Sequence, residues 1–354
     1  MAKIAVIADT HWGVRNDSSV FYDYFKRSLE GFYKEIRDQN IQHVIHVGDL
    51  FDRRKYLNYL TAKRCREDFL EVINSMGVET HIIAGNHDIY YKNTLEVNCL
   101  DEIIGDRYPN IHTYINPKEI TIDGFDILLL PWITESNSKE SFDLIATTKA
   151  SHVFGHLEMQ GFEYLKGIIS TEGQDSHVFS RFDGVFTGHY HHRSSVGNIH
   201  YIGALAEYTW SDHNDPRGFS IFDTSTREME FYQNPISLFK MIGYDDEANP
   251  EMFKVDLSHL ADSYVKVVVQ NKDPYLFDLF IEELYKVSPI NITIIEDMSV
   301  FTDDEEFEGI DQAESTSVIL DKYISGLTLP VDTDRLKTFM RGIHNEAIAL
   351  GSEL

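Results

Sequence analysis

Apolar residues in the first part of the chain switch between two periods. Residues 3–8 carry a continuous apolar run that stops at Asp9, the pattern of a strand buried on both faces of a parallel sheet. Across residues 18–38 the apolar positions Phe21, Phe25, Leu29, Phe32 and Ile36 fall three or four apart, which predicts a helix with one buried stripe. Residues 43–47 are the next strand and end at Gly48-Asp49. Residues 57–76 return to helical spacing and are closed by Gly77, and 79–84 form a third strand that ends at Gly85-Asn86. Beyond Pro109 the pattern turns toward β. Short strands are expected at 125–130, 153–154, 184–187, 199–202, 218–222 and 228–232, with few helices between them. The prediction is an α/β fold with a second sheet packed on the first and helices flanking both.

Asn234-Pro235 marks a domain edge, so residues 1–236 are read as one domain. A small α+β module follows at 237–302, with a strand at 264–270, a helix at 274–287 and a strand at 290–296. Residues 303–316 read as an acidic linker, and 317–354 as a helical segment with amphipathic helices near 317–325 and 332–350. Leu336, Phe339, Met340 and Ile343 share its apolar stripe. Without a partner they would expose a large apolar patch, which makes them a candidate docking surface.

The strand ends carry the chemistry. Asp9-Thr10-His11, Gly48-Asp49, Gly85-Asn86-His87-Asp88, Gly155-His156 and Gly188-His189-Tyr190-His191 follow one another, most of them after an apolar run. Open α/β sheets place their sites just past strand C-terminal ends. Singly, each motif is ordinary turn chemistry; together they offer carboxylate, carboxamide and imidazole ligands for two divalent metals. Two metals that clamp a phosphoryl group need a bridging carboxylate, and Asp49 stands alone at its strand end. Asp9 and His11 lie two apart and can face one metal. His189 and His191 have the same spacing, which points both the same way in an extended segment. The spacing leaves open whether His191 or His192 is the ligand. Asn86 and His156 complete the set. His87 follows a ligand directly and is placed to meet a substrate phosphate or protonate a leaving oxygen, with Asp88 accepting its other ring N–H. His43, His46, His81, His112 and His200 read as packed or solvated residues.

Composition narrows the rest. The net charge of −27 argues against broad electrostatic binding of nucleic acid, although bound dications reverse the field locally. A nucleic-acid enzyme with this charge is expected to share the nucleic acid with a partner. The acidic run at 245–247 reads as a solvated loop. Cys65 and Cys99 form no metal or disulfide pattern and read as buried small residues, which fits a reducing cytoplasm. The N-terminus reads as a first strand and not as a signal peptide, and no apolar run is long enough for a membrane span. Ligands without thiolate suit Mn²⁺, Fe²⁺ or Zn²⁺, and the histidine count disfavours a pure Mg²⁺ site.

These motifs resemble those of the calcineurin-like metallophosphoesterases. Within them, the strings GDLFDRRK (48–55), GNHDIYYKN (85–93), Pro131-Trp132, GHLEMQGF (155–162) and NDPRGF (214–219) are similar to the SbcD branch of recombination nucleases, most of all its tailed-bacteriophage versions. The resemblance implies a two-sheet metallophosphoesterase sandwich, with Asp9, His11, Asp49 and His191 on one metal and Asp49, Asn86, His156 and His189 on the other. It implies that His87 contacts the scissile phosphate, with Asp52 and Arg53 beside the substrate. Some relatives carry a second histidine where this chain has Asp52. It also implies a DNA-capping module after about residue 240, C-terminal helices docked on an SbcC-like SMC-family ATPase, and a homodimer formed through 57–76 and 93–104. The expected activity is Mn²⁺-dependent endo- and exonucleolytic cleavage of DNA. A phosphomonoesterase or protein phosphatase on the same fold, and a non-catalytic scaffold for the ATPase, are the competing readings.

Overall fold

The computed structural model describes residues 2–296, together with Leu336, Lys337 and Met340, which are helical. Residues 1–297 form one compact unit and 298–354 a second. The expected linker, and the docking helices apart from those three residues, Phe339 and Ile343 included, lie outside the described residues.

The strands are β1 (Lys3–Ile7), β2 (His43–His46), β3 (Glu79–Ile83), β4 (Ile111–Tyr114), β5 (Lys118–Ile122), β6 (Phe125–Leu130), β7 (His152–His156), β8 (Glu163–Leu165), β9 (Ile168–Ile169), β10 (Gly184–Gly188), β11 (Ser194–Val196), β12 (Ile199–Tyr201), β13 (Gly218–Asp223), β14 (Glu228–Gln233), β15 (Phe239–Asp245), β16 (Tyr264–Asn271) and β17 (Asn291–Ile295). One six-stranded sheet has the order β14-β13-β1-β2-β3-β4 and the other β11-β12-β10-β7-β6-β5. Both are mixed: β1 to β4 run parallel, as do β6, β7, β10 and β12, while antiparallel pairs close every edge but that of β4.

The apolar run of β1 divides by strand alternation. Ile4 and Val6 join Ile45, Ile127, Phe154, Phe186 and Phe222 between the sheets, while Ala5 and Ile7 face the helical layer. The helix Ser19–Asp38 covers that outer face with Phe21, Phe25, Leu29, Phe32 and Ile36, all buried. The next helix runs through Tyr59–Cys65, a π-helical turn at Arg66–Leu70, and Glu71–Met76; the Asn58 side chain caps its start and Gly77, with φ 67°, ends it. Leu128, Leu130, Val153 and Val185 build the outer core of the second sheet.

β15, β16 and β17 form a separate parallel sheet that packs with the helix Pro274–Lys286 around its own apolar cluster. It belongs to the same compact unit as the sandwich, and Phe239 and Tyr264 stack against Phe21. The helix Ser138–Thr147 and strand β15 were not anticipated. The acidic run at 245–247 is also not wholly solvated: Asp245 ends β15, and buried Asp246 accepts hydrogen bonds from Tyr244 Oη and the Asp273 amide. Among the described residues no helix is long and apolar enough to cross a membrane.

Phe222 is fully buried where the two sheets meet, with its ring 5.2–5.6 Å from those of His152, Phe186, Phe125 and Phe154. Phe222→Ala should cost about 3–5 kcal/mol through lost contacts and a residual cavity. Urea unfolding checks this; a loss under about 1 kcal/mol would mean that the layer collapses around the gap.

Candidate metal centre

The C-terminal ends of β1, β2, β3, β7 and β10 converge at one edge of the sandwich. The loops that leave them are zipped by main-chain hydrogen bonds, Asp9 N to Gly48 O, His11 N to Asp49 O and Trp12 N to Leu50 O, at 2.9–3.1 Å. Trp132 N donates to Ala84 O and ties the second sheet to the end of β3. The approach leaves no room for side chains at two glycines. A Cβ on Gly48, where φ is 90°, would stand 2.3 Å from His156 Nδ1, and one on Gly85 would stand 2.2 Å from Asp49 Oδ1. Asp9, His11, Asp49 and His189 all have left-handed backbones, with φ of 51°, 43°, 56° and 90°. L-residues seldom adopt that conformation, and it clusters at functional sites.

The sequence-predicted ligands come together in this edge. One ligand atom from each of Asp9, His11 and His191 lies within 4.8 Å of the others, and the same holds for Asp49, His156 and His189. His11 Nε2 and His191 Nε2 face each other at 3.0 Å. Asn86 Oδ1 lies 3.0 Å from His156 Nε2 and 2.9 Å from His189 Nδ1. Asp49 Oδ2 stands between the groups, 3.4 Å from His156 Nε2 and 3.7 Å from His11 Nε2. His156 Nδ1 donates to the Val47 carbonyl at 2.8 Å, which leaves Nε2 as the free ligand atom. His11 and His191 each bury an Nδ1 that has no hydrogen-bond partner. This donor set, with ring nitrogens and carboxylate oxygens turned inward on one another, fits divalent cations.

His191 and His192 are placed differently. His192 is held away from the cluster by Asp215 at 2.9 Å and Glu163 at 3.2 Å, while His191 faces it. His87 Nδ1 donates to the Asp52 carbonyl at 2.5 Å, and its ring stands edge-on 4.9 Å from His11. Asp88 does not orient His87. It is buried and accepts from the amides of Gly85, Leu50 and Phe51, because the turn after β3 leaves those donors facing it; it is a brace between two loops. Asp52 groups with His11 and His87, its Oδ1 3.6 Å from His11 Nδ1. The Arg53 guanidinium is engaged by Asp17 at 2.8 Å and Asn16 at 3.0 Å.

Three supports escaped the sequence reading as site residues. Trp132 packs its ring 5.0 Å from His189 and 5.9 Å from His156. Tyr208 Oη donates to the Asp9 carbonyl at 2.6 Å, and its ring lies against His11 and His191. Buried Arg217 pairs with Asp212 at 2.6 Å and Asp215 at 3.0 Å and also donates to the His191 carbonyl. The strings Pro131-Trp132 and NDPRGF flagged two of these stretches, but a tryptophan or an arginine has no spacing rule that ties it to a distant ligand.

Burial sets the electrostatics. It pushes the Asp9 carboxyl up to about 7, against the pull of His156. Burial would lower His156, but the Asp49 carboxylate overrides it and raises that imidazole to about 9. Burial would raise Asp49, but His156 and His87 hold it well below the carboxylate range. Burial keeps His11 well below the usual imidazole range, lowers His189, and with help from Arg217 takes His191 to about 3, so these rings are neutral and ready to ligate.

Two outcomes follow from this geometry. Arg217→Gln should cost about 3–5 kcal/mol, because Asp212 and Asp215 stay buried without their cation, and should weaken metal binding by loosening the loop at His191. Denaturation and metal titration of the variant check both; unchanged metal affinity would detach Arg217 from the centre. Below pH 7, Asp9 and His156 carry protons that a metal must displace. Metal affinity should therefore rise with pH through about 7 and level off above about 9, with proton release on binding at about pH 6. Calorimetry in buffers of different ionisation enthalpy reads this directly, and heat independent of buffer at that acidic pH would contradict it.

Comparison with known proteins agrees with the geometry. The chain is 33% identical to Exonuclease subunit 1 of Enterobacteria phage T4, over 94% of this chain and 95% of that protein. It is 26% identical to the SbcD component of nuclease SbcCD from Staphylococcus saprophyticus and to that from Staphylococcus epidermidis, each over 64% of this chain and 67% of theirs. Residues 2–193, which hold every converging ligand, match the calcineurin-like phosphoesterase family, and the chain belongs to that family.

Proposed function

We propose that this chain is a metal-dependent DNA nuclease that works as a subunit of an ATP-driven recombination and repair complex. The observation that carries the reading is the position of Asp49 Oδ2 between an imidazole of each ligand group. It supports a carboxylate shared by two ions, with Asp9, His11, Asp49 and His191 as one set and Asp49, Asn86, His156 and His189 as the other. Bound there, two divalent ions would supply an activated water and offset the charge of a phosphodiester. Carboxylate, carboxamide and imidazole donors without thiolate suit Mn²⁺, Fe²⁺ or Zn²⁺, and Mn²⁺ is the ion we propose. His87 spends Nδ1 on the Asp52 carbonyl, so Nε2 is the ring atom left to meet the phosphate or protonate the leaving oxygen. Asp88 acts on neither directly; it fixes the loop that carries Asn86 and His87.

The relatives are named as nuclease or exonuclease subunits, which favours a phosphodiester over a monoester and a partner over a solitary enzyme. A net charge of −27 points the same way, since few phosphates are neutralised by the chain alone. The partner we propose is an SbcC-like SMC-family ATPase docked on 317–354 through Leu336, Phe339, Met340 and Ile343. A homodimer through 57–76, where Tyr59 and Leu60 are exposed, and 93–104, together with a cytoplasmic setting, completes the proposal.

Two variants separate the roles. Asp49→Ala should lose both metals and activity together. His87→Ala should keep both metals and lose about 10²–10⁴ in rate on defined DNA ends. An Asp49→Ala protein that still bound two metals and cut DNA would refute the site assignment, and metal loss in His87→Ala would make His87 a ligand. For the partner, Leu336→Asp and Phe339→Asp should abolish co-purification with the ATPase while leaving simple cleavage intact. Retained co-purification would move the docking surface elsewhere.

A further inference from the structure

The layer between the sheets is not closed by hydrocarbon everywhere. Between β10 and β12 of one sheet and β13 and β14 of the other lies a cavity of about 200 Å³. Arg193, Arg227, His152, His200, Ser195 and Ser220 line it. Three of these break an apolar rule. Phe154, Ile202 and Phe222 belong to the inter-sheet cluster, and the positions two residues before them are His152, His200 and Ser220. Strand alternation puts each pair on the same face. A layer built for packing alone would hold aliphatic residues there, because buried polar groups cost stability unless they are hydrogen-bonded.

Not all of these groups are satisfied within the protein. Ser220 is fully buried and its Oγ has no hydrogen-bond partner; Arg193 Nε is likewise buried without one. The Arg193 guanidinium carbon lies over the Phe231 ring, 3.7 Å from its centroid. His152 and His200 each spend Nδ1 on a serine hydroxyl, Ser151 at 2.8 Å and Ser195 at 2.9 Å. The carboxylate at the cavity, Asp183, is paired with Arg227 at 3.1 Å. Among the lining residues two guanidiniums stand against one carboxylate; Asp215, the other carboxylate that acts on Arg193, is itself paired with Arg217 and His192.

We propose that this cavity binds a phosphoryl oxyanion, the group shared by inorganic phosphate and a nucleoside monophosphate. Guanidinium, imidazole and hydroxyl donors from both sheets suit a tetrahedral anion better than a planar carboxylate. The volume suffices, since an apolar cavity of about 150 Å³ holds benzene. The site is separate from the metal centre: His152 and His156 are opposite ends of β7, about 13 Å apart at the usual strand rise.

The test uses the full-length chain in EDTA, so that no metal can capture the anion. Inorganic phosphate and deoxyadenosine monophosphate are titrated by calorimetry against chloride at matched ionic strength. Saturable binding is expected in the wild type, weakened at least tenfold by Arg227→Gln, which alters an exposed side chain, and by Ser220→Val, which fills the cavity with a methyl. Melting curves confirm that each variant is folded. Tighter binding of the nucleotide would assign the site to a phosphomonoester, and tighter binding of phosphate to the free anion. No saturable binding by the wild type, or equal binding by both folded variants, would overturn the proposal.

Discussion

The ligand cluster depends on how closely the end of β2 approaches the ends of β3 and β7. Gly48 and Gly85 are the positions where a single carbon would force these loops apart. With them in place, Asp49 reaches both histidine groups and still accepts the His87 amide at 2.7 Å. That contact links the backbone of the turn after β3 to the candidate bridging carboxylate. Asp88 repeats the arrangement one residue on, with its carboxylate drawn to the amides at 50 and 51. The two loops therefore hold each other by reciprocal carboxylate-to-amide bonds, and the strained backbone at Asp9, His11 and Asp49 is carried by that lattice and not by any one turn.

Much of this was legible from pattern. The strand and helix periods of the first hundred residues matched the elements found, because each apolar face meets a layer of its own. The converging residues were legible because strand ends in parallel sheets point at one edge. What escaped was set by tertiary partners. β15, with sequence FKMIGYD, carries lysine and glycine among its apolar positions, and parallel pairing with β16 makes it a strand. The helix Ser138–Thr147 buries only Ser141 and Ile145, so its apolar stripe is too thin to read. Asp88 could be assigned to His87 by adjacency alone, whereas its partners are the Gly85 amide and amides 37 and 38 residues away.

Charge is distributed with the same logic. Buried acids are held by amides or by a cation, as Asp88 and Asp212 are, while burial pushes His11, His46 and His191 toward the neutral ring and the Asp49 carboxylate keeps His156 the exception. His46 shows the difference between a ring that packs and one that ligates. It is fully buried, pushed down to about 3 by burial, and its Nε2 is paired with Thr10 Oγ1 at 2.9 Å while its Nδ1 packs without a partner. His11, one residue past Thr10, turns its ring nitrogen toward another imidazole instead. The left-handed backbone at His11 is what separates the two outcomes over so short a distance.

The His11–His191 contact spans 180 residues of chain. It joins the loop after β1 in one sheet to the loop after β10 in the other, and Arg217, further on, anchors the carbonyl beneath it. No early segment holds a complete set of ligands. A chain emerging from a ribosome would fold its first strands and helices well before the second sheet could close over them. Its hydrolytic potential would appear late and all at once, when the sandwich shuts, so that unfinished copies are inert toward the phosphoesters around them.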